Sequence, residues 1–315
     1  MSRDTLREKL IGGASPDERA PKFYSLELMR FICAFSIVWG HLGAPYAIVA
    51  YAGLNAFIIL SVALSTRAAT RQDFGPFMMR RVIRILIPWL IWCAFYLFFR
   101  GLRDGWGSMF QLTDPAWLLI GPEIHLWFLP FILISAPFAY LAMHLPHGRI
   151  FGGILVVVAL PATCGLYYIE RLELLDAPWT QWCFALPPLF YAVIRVSGRR
   201  WGPFFILAGT LIGMTLLGFP EPAWFLLLAA VVFEVFLRID KIGAWAQPLG
   251  DSAFGIYLLH PFFVVVVARF MSPSGNTAFF AETVFLASWA GSYILLRVGQ
   301  ALTTKFSPKR TVSRA

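Results

Sequence analysis

The chain has 315 residues, of which 59% are hydrophobic and only 14% are charged, and its mean hydropathy is +0.70. Soluble domains carry about a quarter charged residues, so this composition excludes an ordinary soluble protein and indicates a chain that crosses a membrane several times. The formal net charge of +9 fits basic residues that hold cytoplasmic loops inside, and we expect no nucleic acid as a partner.

The predicted elements are helices throughout, so the expected fold class is an all-α polytopic membrane protein. A polar cytoplasmic tail, residues 1–22, lacks the apolar core of a signal peptide. Residues 23–301 form the transmembrane domain, and a basic cytoplasmic tail, 302–315, follows. About ten helices of roughly 20 residues are expected, over 24–43, 47–66, 82–99, 124–143, 150–168, 182–197, 203–219, 222–238, 252–270 and 279–300.

The positions of the basic residues predict the orientation of these spans. If the N-terminus is inside, the only basic residues in the outer segments are Arg100, Arg103, Arg171 and Arg269. Inner segments hold most of the rest, including Arg67, Arg71, Arg199, Arg200 and the tail residues Lys305, Lys309, Arg310 and Arg314. Cytoplasmic loops of membrane proteins carry such an excess, so we expect both termini in the cytoplasm.

The first span carries a cation and an imidazole on one helix face. Arg30 and His41 are eleven positions apart, which at about 100° per residue is three turns plus roughly 20°. They are expected about 16 Å apart along the axis, and Glu27 is placed to pair with Arg30. Polar groups are costly at membrane depth, and an imidazole serves as base, acid or nucleophile, so this pair indicates function.

Spans 2 and 3 contain a buried amide and a basic cluster. Asn55 is most simply a hydrogen-bonding residue between helices. Arg80, Arg81 and Arg84 open span 3 on the cytoplasmic side, and Arg81 and Arg84 share a face at i and i+3. The cluster serves either as positive-inside charge that binds anionic lipid or as a guanidinium site for phosphate oxygens.

Spans 4 and 9 supply the remaining candidates. Glu123, His125 and Trp127 lie where the chain enters span 4. Glu123 or His125 would contact a polar acceptor, and Trp127 would stack on a sugar ring. The alternative is that the segment belongs to the aromatic belt at the membrane interface. In span 9, Tyr257 and His260 precede Pro261, which kinks the helix and frees a carbonyl. The four cysteines have no metal-type spacing, and no metal site is expected.

These residues together resemble the motifs of the membrane-bound acyltransferase 3 family, integral-membrane O-acyltransferases of the polysaccharide O-acetylase type. The matching segments are Arg30 with His41, Arg81-Val-Ile-Arg84 with Pro88, His125-Leu-Trp-Phe-Leu129, and Ser252 through Tyr257-Leu-Leu-His260-Pro261, in family order. Span 2 departs from the family's Phe-Phe-x-Leu-Ser-Gly-Phe type sequence. Here it reads Asn55-Ala-Phe-Ile-Ile-Leu-Ser61-Val62-Ala63, with Asn55 where an Asp often stands.

The resemblance implies an acyl-CoA-dependent O-acyltransferase. The acyl group, most often acetyl from acetyl-CoA, would cross the membrane to a hydroxyl of an extracytoplasmic glycan or lipid-linked saccharide. His41 would act as base or as acyl carrier, Arg30 would orient the donor or stabilise developing charge, and the three span 3 arginines would bind acyl-CoA. The acceptor-side or supporting group would comprise Glu27, Asn55, Glu123, His125, Trp127, Tyr257 and His260.

Partners and location follow from the same resemblance. Acyl-CoA is expected as a co-substrate, with no permanently bound cofactor, and the other partners are the glycan or glycolipid acceptor, membrane lipids and glycan-assembly proteins. The expected location is the bacterial cytoplasmic (inner) membrane. Two alternatives remain open: a transporter or flippase for a lipid-linked glycan, which usually shows an inverted repeat, and a non-catalytic membrane partner of glycan assembly.

Overall fold

A computed structural model describes residues 23–69, 72–107, 116–144, 149–196, 201–273 and 276–306. Every regular element within these ranges is a helix and none is a β-strand, which confirms the all-α fold class. The predicted N-terminal tail, Arg71, Arg199, Arg200 and the basic residues after Phe306 lie outside the described residues.

Long helices account for most of the described chain. They are α1 (Tyr24–His41), α2 (Ala47–Ala69), α3 (Phe74–Asp104), α4 (Phe128–His144), α5 (Arg149–Arg171), α6 (Trp179–Val196), α7 (Gly202–Leu216), α8 (Glu221–Arg238), α9 (Gln247–Val267) and α10 (Thr277–Phe306). Several helices exceed their predicted bounds, most of all α3, which begins at Phe74 ahead of the expected start near 82, and α10, which continues past the expected end at 300.

Among the residues that the structure describes, five helical segments are long and apolar enough, by length and composition, to cross a membrane. They are Val49–Thr66, Phe74–Asp104, Ile124–Ala142, Ala244–Val267 and Thr277–Ala301. Helix α1 falls outside this group because Glu27, Arg30 and His41 lower its mean hydropathy. The helix that carries the principal candidate residues is therefore also one of the more polar ones.

The chain divides into two compact units, and the boundary falls inside α2. The terminal unit comprises Tyr24–Gly53 and the described residues from Asp240 onward, and the central unit comprises Leu54–Ile239. The candidates Glu27, Arg30, His41, Tyr257 and His260 belong to the terminal unit, and the other candidates belong to the central unit. Two ends of the sequence thus build one structural unit.

The terminal unit is formed by α1, α9 and α10, which pack on an apolar core. Phe31 and Phe35 of α1 meet Phe285 of α10 edge to face, with ring centroids 5.4 and 4.9 Å apart. A Cβ added to Gly250 of α9 would lie 2.6 Å from the Glu27 Cβ and 2.8 Å from its Cα. Small residues let membrane helices approach this closely, so glycine is required at this crossing.

Helix α1 ends in a way that places His41 in its last turn. The Gly43 N–H donates to the Gly40 carbonyl at 3.1 Å, and the Ala44 N–H donates to the Trp39 carbonyl at 3.3 Å. Gly43 has φ of 60°, so the pattern is a Schellman cap with glycine in the left-handed region. The cap stops the helix just after the candidate base.

In the central unit, α5 packs on α6 and α7 around Ala159, Ile194 and Ile206. Helix α3 contains a π turn, Val82–Leu86, within the basic cluster. Pro88 contributes to this turn because it has no N–H for the Arg84 carbonyl, four residues earlier, and its ring crowds that carbonyl. The π turn changes the angle between Arg81 and Arg84 from the α-helical spacing that the sequence predicted.

Candidate active site

Arg30 and Glu27 form the ion pair that their spacing predicted. The Arg30 Nη1 donates to the Glu27 Oε2 at 2.7 Å, and both side chains are about four-fifths buried, with 23% and 19% exposed. Gly250 of α9 lies against the Glu27 backbone, so helix packing holds the carboxylate that in turn holds the guanidinium. A guanidinium has five N–H donors, more than one carboxylate takes, so the pair can still bind an anion or carbonyl.

His41 at the end of α1 meets His260 of α9. The His41 Nδ1 and the His260 Nε2 are 3.0 Å apart, and the two rings are stacked with centroids 5.2 Å apart. The other nitrogen of His260, Nδ1, lies 2.6 Å from the Tyr257 carbonyl oxygen. His260 is only 2% exposed while His41 is exposed, so a buried imidazole supports one that a substrate can reach.

Helical rise separates the two polar residues of α1. Because α1 is continuous from Tyr24 to His41, Arg30 and His41 stand about 16 Å apart along its axis. The Arg30 guanidinium is bound to Glu27, one turn further from His41, so the two side chains do not reach one carbonyl group. Of the two roles predicted for Arg30, this distance favours orienting the donor over stabilising charge at the reacting carbon.

The basic cluster of the central unit combines one half-buried and two exposed arginines. Arg81 is half-buried, and its guanidinium lies 5.3 Å from the centre of the Phe77 ring. Arg80 and Arg84 are exposed. Phe77 itself is buried against α2 and α4, so its fixed ring orients the Arg81 guanidinium through a cation–π contact.

The segment before α4 places its three candidates differently from one another. His125 and Trp127 are buried, with 4% and 6% exposed; His125 lies edge-on to the Tyr96 ring and Trp127 to the Phe131 ring. Glu123 is half-buried, 4.0 Å from Arg100. Burial raises the pKa of the Glu123 carboxyl, and the Arg100 guanidinium partly offsets this. Glu123 is therefore the acceptor-side candidate of this segment, and His125 and Trp127 are packed supports.

Asn55 lies fully buried in the central unit, with 0% of its surface exposed. Its amide approaches the Tyr167 hydroxyl, although neither group completes a hydrogen bond of good geometry among the described residues. Asn55 therefore lies between helices, as predicted, but the predicted hydrogen bond is not formed among the described residues. Asn55 is a buried supporting residue.

One charged group escaped the sequence reasoning. Arg195 of α6 binds Glu234 of α8 through two contacts, of which the Nη2 to Oε2 hydrogen bond measures 3.2 Å, and Arg238 binds the same carboxylate at 2.9 Å. The i, i+4 spacing of Glu234 and Arg238 is typical of an ion pair on one helix face, so this pair was predictable from the sequence. No spacing rule indicates Arg195, which pairs with Glu234 across 39 residues of chain.

These features define a class of protein: a helical integral membrane protein whose polar groups form an organised site at the end of α1. The chain matches the family model described as the acyltransferase domain, of the acyltransferase 3 type, over residues 23–297. The protein belongs to this acyltransferase 3 family, which confirms the resemblance read from the motifs. No significant match was found among curated proteins or among solved structures.

Proposed function

We propose that the protein transfers an acyl group, acetyl in the simplest case, from acyl-CoA to a hydroxyl of an extracytoplasmic glycan or lipid-linked saccharide. The observation that carries the proposal is the position of His41, exposed at the end of α1 and paired with a buried histidine, within a chain of an acyltransferase family. The proposal includes ten spans, both termini in the cytoplasm, and a bacterial cytoplasmic membrane.

The basic cluster supports donor binding from the cytoplasmic side. CoA is a cytosolic molecule with phosphates, and guanidinium groups bind phosphate oxygens in forked geometry. Arg80, Arg81 and Arg84 open α3 at the end that the positive-inside pattern assigns to the cytoplasm. Arg30 then binds the donor along its length, well short of the reacting carbon.

In the reaction, His41 takes the proton of the acceptor hydroxyl as its oxygen attacks the thioester carbonyl. A carbon–oxygen bond forms, the carbon–sulfur bond breaks, and His41 returns the proton to the thiolate, which leaves as CoA. The products are an ester and a free thiol, so protons and electrons balance without a further reactant. Glu123 is assigned to the saccharide, and the buried members of the predicted acceptor-side or supporting group are assigned supporting roles.

The test uses purified protein in nanodiscs with labelled acetyl-CoA and candidate saccharides. His41→Ala is expected to lower the transfer rate by about 10²–10⁴-fold, the contribution typical of a general base. His144→Ala, at the exposed end of α4, is the matched control and should retain activity. A fully active His41→Ala variant would exclude the mechanism, and saccharide transport without CoA release would exclude the reaction. Label trapped on His41 would replace the base role with an acyl carrier.

Donor binding has its own test. Arg81→Ala combined with Arg84→Ala should raise the KM for acetyl-CoA by about 10-fold or more, since hydrogen bonds to charged groups contribute about 1.5–3 kcal/mol each. S-acetylpantetheine, which has none of the phosphates of CoA, should be affected far less. Arg297→Ala removes one guanidinium charge from an exposed position on α10 and is the control for the loss of an arginine. An equal loss with both donors would reject the phosphate assignment.

Orientation is tested by labelling single cysteines from outside intact cells. A membrane-impermeant maleimide should reach Asp176→Cys and not Asp73→Cys, both of which replace exposed residues. The reverse pattern would overturn the proposed topology.

A further inference from the structure

We infer that His260 is a positioning residue that holds the single proton of His41 on Nδ1, so that Nε2 is the basic nitrogen of the site. The inference rests on the proposed function for its catalytic meaning, and on hydrogen-bond geometry for its structural meaning. Three groups carry it: the main-chain carbonyl of Tyr257, the ring of His260 and the ring of His41.

The Tyr257 carbonyl fixes the position of the His260 proton. A carbonyl oxygen only accepts hydrogen bonds, and the His260 Nδ1 lies 2.6 Å from the Tyr257 oxygen. The Nδ1 must therefore carry a proton and donate it to this carbonyl. In a neutral imidazole the other nitrogen is then an acceptor, so the His260 Nε2 presents a lone pair.

His260 in turn fixes the position of the His41 proton. Its Nδ1 lies 3.0 Å from the His260 Nε2, and the hydrogen bond needs one donor. Because the His260 Nε2 accepts, the His41 Nδ1 must donate. A neutral His41 then has no proton on Nε2, whose lone pair is ready to take the proton of an acceptor hydroxyl. This tautomer is the less populated one for histidine in water, so the protein selects it.

Pro261 explains why the Tyr257 carbonyl accepts from a side chain and not from the helix backbone four residues on. In an uninterrupted α-helix the N–H of residue 261 would donate to the carbonyl of residue 257, four positions earlier. Residue 261 is proline and has no N–H, so the Tyr257 oxygen lacks its helical donor. His260, three residues after Tyr257, supplies a donor instead. In the order Tyr257-Leu-Leu-His260-Pro261, the proline removes the backbone donor to the Tyr257 carbonyl, and the histidine supplies a side-chain donor in its place.

Burial makes the arrangement rigid. His260 and Tyr257 are each 2% exposed, and α9 crosses α1 and α10 within one packed unit. A ring that is held on one nitrogen by its own backbone and packed on its faces has little freedom to turn. Partners that orient an active imidazole in this way typically change activity by about 10–100-fold when removed.

Nitrogen NMR of protein with ¹⁵N-labelled histidine tests the tautomers directly, since protonated and unprotonated ring nitrogens have distinct chemical shifts. The chain has five histidines, and single His→Gln variants assign the signals. We expect both His41 and His260 to be protonated at Nδ1 and unprotonated at Nε2. In His260→Leu, the proton of His41 should move to Nε2. A His41 that is protonated at Nε2 in the unaltered protein, or is insensitive to His260→Leu, would overturn the inference.

Kinetics give a second measurement. His260→Leu should lower kcat by about 10–100-fold with an unchanged KM for acetyl-CoA, and His260→Gln, whose amide both donates and accepts, should retain more of the activity. Pro261→Ala leaves both rings in place but returns an N–H to the Tyr257 carbonyl, so it should lower kcat and disturb the His41 tautomer. Pro137→Ala, inside α4, is the matched control.

The two hypotheses fail separately. If the tautomers are as inferred but no variant and no wild-type preparation transfers acyl groups, the proposed function is wrong and the histidine geometry stands. If acyl transfer occurs but His260→Leu and Pro261→Ala leave kcat unchanged, the positioning role is wrong and the proposed function stands.

Discussion

The terminal and central units differ in how completely their buried polar side chains are hydrogen-bonded. In the terminal unit these groups bind one another: Ser292 donates to the Ser252 carbonyl at 2.8 Å, and Ser252 donates to the Leu249 carbonyl at 2.7 Å. Among the described residues, the buried side-chain atoms without a hydrogen-bond partner all belong to the central unit; they include atoms of Asn55, Ser65, Trp89, Thr163, Tyr167, Trp182 and Thr210.

This difference indicates a division of labour. A buried polar atom without a partner costs about 1–3 kcal/mol, whereas a bonded one rigidifies its surroundings. The terminal unit, which holds Arg30, His41 and His260, has the fixed geometry that proton transfer requires. The central unit leaves more of its buried polar side chains without hydrogen bonds among the described residues, and it contains the basic cluster. Predictions that compare matched substitutions in the two units test this contrast.

The largest effect is expected at the crossing of α1 and α9. In Gly250→Ala the new Cβ would meet the Glu27 backbone at 2.8 Å, so the helices must separate. Overpacking typically costs about 1–3 kcal/mol, and contact with backbone puts this site at the upper end. Thermal unfolding in detergent should show the loss, and activity should fall because Glu27 no longer holds Arg30.

Gly299→Ala in α10 is the control for this substitution. A Cβ at Gly299 meets no atom of the described residues within 4 Å, so the variant should be neutral or slightly more stable through helix propensity. Equal stability of both variants would contradict the rigid packing of the terminal unit.

A smaller effect is expected from the charge network of the central unit. Glu234→Gln removes the carboxylate shared by Arg195 and Arg238, and leaves the partly buried Arg195 without its counter-charge. Breaking a fully buried pair costs about 3–5 kcal/mol, and partial exposure reduces this to about 1–3 kcal/mol. Denaturant unfolding should report the change while acetyl-CoA affinity stays constant. A change confined to donor affinity would instead place this network in the binding site.

Contacts within one helix could be predicted from the sequence, whereas contacts between residues distant in sequence could not. The ion pair of Glu27 and Arg30 lies within one helix, where spacing determines contact. Pro261 marked a freed carbonyl, but its partner depended on the rotamer of His260. The contacts of His41 with His260 and of Arg195 with Glu234 join residues distant in sequence, so only the folded chain reveals them.

The π turn at Val82–Leu86 is an instructive case, because Pro88 was visible in the sequence. A proline inside a helical pattern signals a disturbed turn but does not say whether the helix kinks, stops or inserts a residue. The assumption of α-helical spacing for Arg81 and Arg84 therefore needed correction. Trp127 shows the same limit, since an aromatic residue at a helix start can face outward or, as here, pack inside.

The smallest effect gives the sharpest comparison between the units. Thr163→Val in the central unit replaces a buried hydroxyl that has no hydrogen-bond partner among the described residues, so stability should rise by about 1 kcal/mol. Ser292→Ala in the terminal unit removes a formed hydrogen bond and leaves the Ser252 carbonyl without that donor, so stability should fall by a similar amount. Opposite signs in thermal unfolding would establish the contrast. If Thr163→Val instead lowers stability, its hydroxyl binds a group other than the described residues. If it lowers acyl transfer, the central unit takes part in the chemistry more directly than its packing indicates.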